Sequence, residues 1–418
     1  MQLNFPSICL APTGQVPGAA GRFTFGRALC YNTPSPLRES KAMKKLSRIA
    51  IGLVILSLAV GCQAPPATPT SPPPTSTSPA SSLSPSPTPP PTSAPASRDY
   101  WPTKAWRVST PEQQGMDAQP LAQMVEAIQK QNLKVDSVLV IRHGYIVSEN
   151  YFTGGQDDPH VLYSCTKSFV SALVGIAIAQ GNIKGVDQPV LSFFPERTFA
   201  QDDARKQAMT LDNLLTMTSG LDWTEGDPAI MQLIRSTDWV QFMLDKPMVA
   251  EPGRRFNYCS GCSFILSAIV QETTGTSTLD FAKANLFGPL GIVNPRWETG
   301  SGGIVNGGWG LWLTSRDMAK LGYLYLNGGM WDGRQVVPAD WVETSVQKHI
   351  TTGERLDYGY QWWVYPALDA YTARGRGGQL IFVIPRLDMV IVFTATMDGD
   401  AALLDLIEKY VVPAARLS

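Results

Sequence analysis

Histidine is scarce in this chain: three in 418 residues, His143, His160 and His349. None stands in an HExxH or HxH arrangement, so the usual zinc-hydrolase pattern is missing. The six cysteines provide no second CxxC and no paired histidines, which removes the zinc-ribbon and zinc-finger spacings. Positive charge is not in excess. Lys and Arg number 34 against 35 Asp and Glu, and no basic stripe alternates with aromatics, which argues against a nucleic-acid partner. There is no G-x-S-x-G elbow and no phosphate-cradling glycine loop. His143 follows one predicted strand and opens a turn, a surface position, so nothing points to a Ser-His-Asp triad. The sequence calls for no metal and no cofactor.

What is present begins with a processing signal. Met43-Lys44-Lys45-Leu46-Ser47-Arg48 is a basic stretch, followed by an apolar run from Ile49 to Gly61. That run is too short to span a bilayer and has the size of a signal-peptide core. It ends Leu58-Ala59-Val60-Gly61-Cys62, which resembles a bacterial lipobox, with Ala59 where that motif prefers leucine. The expectation is a lipidated Cys62 and an exported protein held to a membrane by that anchor alone. The alternative is an ordinary signal peptide cleaved nearby. On either reading residues 1–42 precede the point where such a signal works, and Met43 is the expected start. Residues 63–97 are almost wholly Pro, Ser, Thr and Ala without charge. Such a segment cannot bury a core, and in the polyproline form it reaches on the order of 100 Å. It suits a tether between an anchor and a domain at 98–418.

Within that domain the period of apolar residues predicts a helix over Pro120–Gln131, with Leu121, Met124, Val125 and Ile128 on one side. Val135–Arg142 and Tyr145–Tyr151 read as a hairpin turning at His143-Gly144. A long middle section, about 182–345, carries helix signals and loops. Strands return at Tyr360–Val364, Gln379–Ile384 and Met389–Ala395, and a helix closes the domain at Ala401–Val411. Strands at both ends with helices between predict an α/β fold: one antiparallel sheet flanked by helices, with a mostly helical insertion.

The chemistry concentrates at Tyr163-Ser164-Cys165-Thr166-Lys167-Ser168, at the head of an apolar run that continues to Ala179. On a helix, Ser164 and Lys167 share one face. An amine in an apolar surround loses pKa and can take a proton from the hydroxyl. The free N–H groups of a helix start can hold a negative oxygen beside the serine. The same spacing recurs at Ser345/Lys348, but in a polar stretch where a lysine stays solvated near its ordinary pKa of about 10.4. A second element is Tyr258-Cys259-Ser260, just before the apolar run Phe264–Val270. Tyr325-Leu326-Asn327 offers a similar pattern, but it ends a helix and enters the turn Gly328-Gly329, where a structural role is simpler. A third element, Gly375-Arg376-Gly377-Gly378-Gln379, leads into the strand Leu380–Ile384. Glycines there permit close approach of another backbone.

In this order the three elements resemble the serine β-lactamase and penicillin-binding superfamily, in its class C-like branch with Tyr-x-Asn or Tyr-x-Ser as second motif. Leu214–Leu221, Leu321–Gly329 with Trp331-Asp332-Gly333, and Tyr358–Trp363 add to the likeness, which covers about residues 105–415. Its nearest flavour is that of 6-aminohexanoate-dimer hydrolases and related esterases. The resemblance implies Ser164 as the acylated nucleophile, Lys167 as its base and Tyr258 as the proton shuttle. It implies Ser260 as a hydrogen-bond partner of Lys167 or substrate, and the N–H groups of Ser164 and Gln379 as the oxyanion hole, with Gly378 beside them. Arg376-Gly377-Gly378 stands where the family has Lys-Thr-Gly. The hydroxyl is missing, and Arg376 either binds a substrate carboxylate or points into solvent.

The family fold also makes Ser164 and Tyr258 neighbours, which brings Cys165 toward Cys259 and Cys262. At most one structural disulfide is expected, its pairing open, with buried free thiols as the alternative. The leading function is a serine hydrolase of amides or esters, with a small-molecule or peptide-like substrate. The alternative is a lipid-anchored penicillin sensor that acylates without turnover. A scaffold without chemistry is the weakest reading, because Ser164, Lys167 and Tyr258 are all intact. Oligomeric state is left open.

Overall fold

The computed structural model describes residues 98–200, 203–353 and 355–415. The signal segment, Cys62 and the tether lie outside the described residues. Helix α1 (Ala118–Lys130) starts where the Asp117 side chain accepts from Gln119 N–H. Its buried stripe is Leu121, Met124, Ala127 and Ile128, while Val125 is only half-buried.

Strands β1 (Val135–Arg142) and β2 (Tyr145–Tyr151) have the expected bounds. His143 and Gly144 both take positive φ, 52° and 85°, as a tight hairpin that follows the strand twist requires. His143 is exposed there. The remaining strands of this sheet come from the far end of the chain. They are β3 (Ile350–Thr351), β4 (Asp357–Tyr358), β5 (Trp363–Tyr365), β6 (Ala370–Gly375), β7 (Gln379–Ile384) and β8 (Met389–Ala395). The eight strands lie in the order β2-β1-β8-β7-β6-β5-β4-β3, and every neighbouring pair is antiparallel.

Successive side chains of the central strands enter opposite cores. Ile381, Val383, Val390 and Val392 join the core on the large helical side. Leu380, Phe382, Ile384, Met389, Ile391 and Phe393 join a second core under α1 and the C-terminal helix. A sheet covered on both faces explains why these strands are continuously apolar instead of alternating. The fold class is therefore the expected one, α/β with an antiparallel sheet between helical layers.

One expectation needs correction, and one strand was not expected. The strand expected over Tyr360–Val364 begins only at Trp363. Gln361 has φ 61°, and its side chain and backbone bond to Leu214, Leu215, Ser168 and Ser263, so the chain cannot be extended there. Strand β6 carries no clear alternation in Ala370-Tyr371-Thr372-Ala373-Arg374-Gly375 and went unrecognised. It is fixed by neighbours on both sides, β5 and β7. The closing helix is α-helical over Ala401–Leu406 and continues as a π-helical turn over Ile407–Val411.

Between the two halves of the sheet runs the helical section. Helix α2 (Thr166–Ala179) is buried from Thr166 to Ala177, as an all-round apolar helix must be. Helix α3 (Ser260–Thr274) packs beside it and is equally buried from Ser260 to Val270. Helix α4 (Ser315–Leu326) lies on the sheet. A side chain at Gly322 would come within 2.7 Å of Val390, so glycine sets how closely this helix approaches.

Candidate active site

Ser164 lies in a single 3-10 turn, Tyr163–Cys165, immediately before α2. The turn opens at Tyr163 with φ 44°, a conformation that non-glycine residues seldom adopt and that often marks functional sites. Ser164 is half-buried and Lys167, one turn on, is 1% exposed. The Lys167 ammonium donates to Ser164 Oγ at 2.9 Å, Ser260 Oγ at 3.0 Å and Gly308 O at 2.7 Å. Burial lowers its pKa from 10.5 to about 8, against the opposing pull of Glu225 and Cys165.

Ser260 is the first residue of α3, whose N-cap is Cys259. Cys259 and Cys262 form a disulfide, and the Cys262 N–H donates to Cys259 Sγ at 3.0 Å. The bridge brackets Ser260 and pins the helix turn that carries it. Cys165 takes no part; it is a buried free thiol whose Sγ donates to Gln379 O at 3.3 Å.

Tyr258 stands two residues before Ser260 and neighbours the Ser164 side chain. Its ring stacks on Trp363 with centroids 5.7 Å apart, meets Tyr358 edge-on, and receives Lys167 Nζ 4.8 Å from its centre. Burial pushes the phenol pKa up, only partly offset by the neighbouring Ser164 hydroxyl. At neutral pH it is an uncharged phenol, able to give a proton.

The third element packs on the turn that carries Ser164. A side chain at Gly375 would meet Leu162 O at 2.3 Å and Cys165 N at 3.3 Å, so β6 touches the backbone that holds Ser164. Gln379, its register partner on β7, is buried and adjoins Cys165. Gly378 has φ 92° and packs toward Ala395 and Leu403. Arg376 is exposed at the tip of the β6–β7 turn. The cation whose charge bears on Tyr258 is instead Arg374, which lies 4.9 Å over the Trp363 ring and makes a bidentate pair with Asp400 at 2.6 and 2.7 Å.

The two look-alike patterns lie elsewhere. Ser345 is buried on a helix and donates to Trp341 O, while Lys348 is half-exposed and pairs with Asp357. Asn327 accepts from Arg98 and donates to Tyr323 O.

Three contributors escaped the sequence reading. Glu225 Oε1 accepts from Ser260 Oγ at 2.5 Å, and its Oε2 accepts from Ser260 N at 3.0 Å and Trp223 Nε1 at 2.7 Å. Gly308 supplies the third acceptor of Lys167, and a side chain there would press on Ser260 O at 2.7 Å. Arg374 is the third. The pairing of Glu225 with α3 spans 35 residues of loop and short helix, and no spacing rule announces it. The glycines Gly307-Gly308 were the one available signal for Gly308. Among the described residues no cluster of His, Cys, Asp or Glu is arranged to hold a metal ion.

Comparison with known proteins bears on the family and the fold. The family model described as Beta-lactamase matches residues 121–413. The chain is 28% identical over 285 residues to the 6-aminohexanoate-dimer hydrolase of Paenarthrobacter ureafaciens, covering 62% of this chain and 71% of that protein. Among solved structures, EstCE1, a hydrolase with promiscuous acyltransferase activity, superposes with a TM-score of 0.60 at 17% identity, over 70% of this chain and 98% of that one. The octameric penicillin-binding protein homologue from Pyrococcus abyssi gives a TM-score of 0.56 at 19% identity, over 71% and 79% of the two chains. These two share the fold. The chain belongs to the beta-lactamase family. It is an enzyme, a serine hydrolase of that family.

Proposed function

We propose that the chain cleaves an amide or ester bond through an acyl-enzyme on Ser164. The observation that carries this reading is the buried Lys167 Nζ, 2.9 Å from Ser164 Oγ. In its neutral form the amine takes the Ser164 proton as Oγ attacks the carbonyl. The Ser164 and Gln379 N–H groups receive the oxyanion. Tyr258, an uncharged phenol, gives a proton to the departing amine or alcohol and regains one from the water that deacylates Ser164. The substrate class follows the named relative: short linear amides of the 6-aminohexanoate type, with short esters beside them. The lipobox-like Cys62 supports reading this activity as one outside the cytoplasm, at a membrane surface.

The test is intact-mass measurement during turnover of a p-nitrophenyl ester. A transient acyl adduct on Ser164, with no turnover in Ser164→Ala, is the expected result. Full activity of Ser164→Ala overturns the assignment. An adduct with labelled penicillin that never decays, with no turnover of amides or esters, replaces the hydrolase by a sensor.

A further inference from the structure

The base mechanism leaves one proton unaccounted for. Three oxygens surround Lys167 Nζ, a shell that the three N–H groups of an ammonium satisfy in full, and with a pKa of about 8 the ammonium is its main form at neutral pH. An ammonium cannot take the Ser164 proton. It must first lose one of its own from a position 1% exposed to solvent. The acceptors differ in what they can do with it. Gly308 O is a carbonyl and passes nothing on. Ser164 is the group to be activated. Ser260 Oγ, 2% exposed, accepts from Lys167 at 3.0 Å and donates to Glu225 Oε1 at 2.5 Å. Glu225 is exposed, and its other oxygen is held by Trp223 and Ser260 N–H.

We propose that Glu225 ends a proton path, Lys167 Nζ to Ser260 Oγ to Glu225 Oε1, by which the buried lysine sheds its proton to solvent before acylation. The proposal rests on Lys167 acting as the base. The step balances: one N–H bond of Lys167 breaks as an O–H bond forms on Ser260, whose own proton moves to Glu225. A lysine cation and a glutamate anion become an amine and a carboxylic acid, and the acid then ionises to water. One rotation about the Cε–Nζ bond turns the freed lone pair to Ser164. Glu225 acts through Ser260 and is a positioning residue.

The other groups facing this path do not replace it. Cys165 and Tyr258 face Lys167 as a neutral thiol and phenol, both with pKa raised by burial. Tyr358, also raised, sees Glu225 from the sheet. Arg374 bears on Cys165 and Tyr258 but is tied to Asp400, and Lys246 lies 5.9 Å over the Trp223 ring.

The experiment uses the full chain, p-nitrophenyl butyrate as probe, and kcat/KM from about pH 6 to about pH 10, with a proton inventory in mixed light and heavy water. Glu225→Gln keeps an acceptor for Ser260 but cannot take a proton. It is expected to lose about 10²-fold in kcat/KM. Its acid limb moves to lower pH, because the charge that raised the lysine is gone, and its inventory straightens. Glu225→Asp recovers part of the rate and restores the limb toward wild type. Wild-type rate and limb in Glu225→Gln overturn the path. So does a rate loss with an unmoved limb and no recovery by Asp, which is a structural effect only. If the Gln variant does not fold, Ser260→Ala cuts the same path, and a wild-type rate there overturns it. The two readings fail separately. Turnover by Ser164→Ala removes the acyl-enzyme, whereas a required and labelled Ser164 with an indifferent Glu225 removes only the path.

Discussion

Three oxygens surround Lys167 Nζ, and burial there draws its pKa down to about 8. The neutral fraction then falls about tenfold per pH unit below this value. We predict that kcat/KM for ester hydrolysis rises with pH by about tenfold per unit and levels near pH 8. A profile flat down to pH of about 5 rules out lysine as the base. The chain contains its own comparison. Ser345 and Lys348 have identical spacing, yet the lysine side chain is 54% exposed and its partner is Asp357, not the serine. The distinction was legible because one pattern heads an apolar run and the other does not. Glu225 was not legible, since its three bonds join a loop to a helix start and depend on tertiary approach. Arg376 shows the opposite limit. The sequence marks a cation near the third element, but strand pairing decides that Arg374 faces Trp363.

The site depends on one close approach between elements, where β6 crosses the turn that carries Ser164. Gly375 has no room for a side chain against Leu162 O, at 2.3 Å. Gly375→Ala is therefore expected to lose about 2 kcal/mol of stability in urea unfolding, and to lower kcat by shifting Ser164. Gly155→Ala, where nothing lies within 4 Å, serves as the control and should change stability by less than about 0.5 kcal/mol. Equal midpoints for the two variants defeat this reading. At this scale the sequence was most readable where elements are long: α1, the β1–β2 hairpin, α2, β7 and β8. It was least readable around Gln361. There a buried amide bonds the carbonyls of Leu214 and Leu215 and the hydroxyl of Ser263, so a polar staple interrupts what the aromatic residues suggested was a strand.

For the whole molecule, the anchor reading is tested by partition. Wild-type protein from a bacterial host is expected in the detergent phase of a Triton X-114 separation, and Cys62→Ala in the aqueous phase. Wild type recovered in water removes the lipid anchor. The architecture itself was readable because apolar runs cluster at both ends of the domain, though strand order was not, since pairing partners leave no local mark. That order has a temporal side. β1 finds its neighbour β8 only across the span from Val135 to Ala395. A chain made from its amino end therefore completes Ser164, Tyr258 and their helices long before the central sheet can close. Strands β6 and β7, among the last to emerge, lie against the turn that carries Ser164, and β7 carries Gln379. On the proposed mechanism the Gln379 half of the oxyanion site is therefore made only with the last fifty or so of the 418 residues, and a nascent or truncated chain carries Ser164 without it.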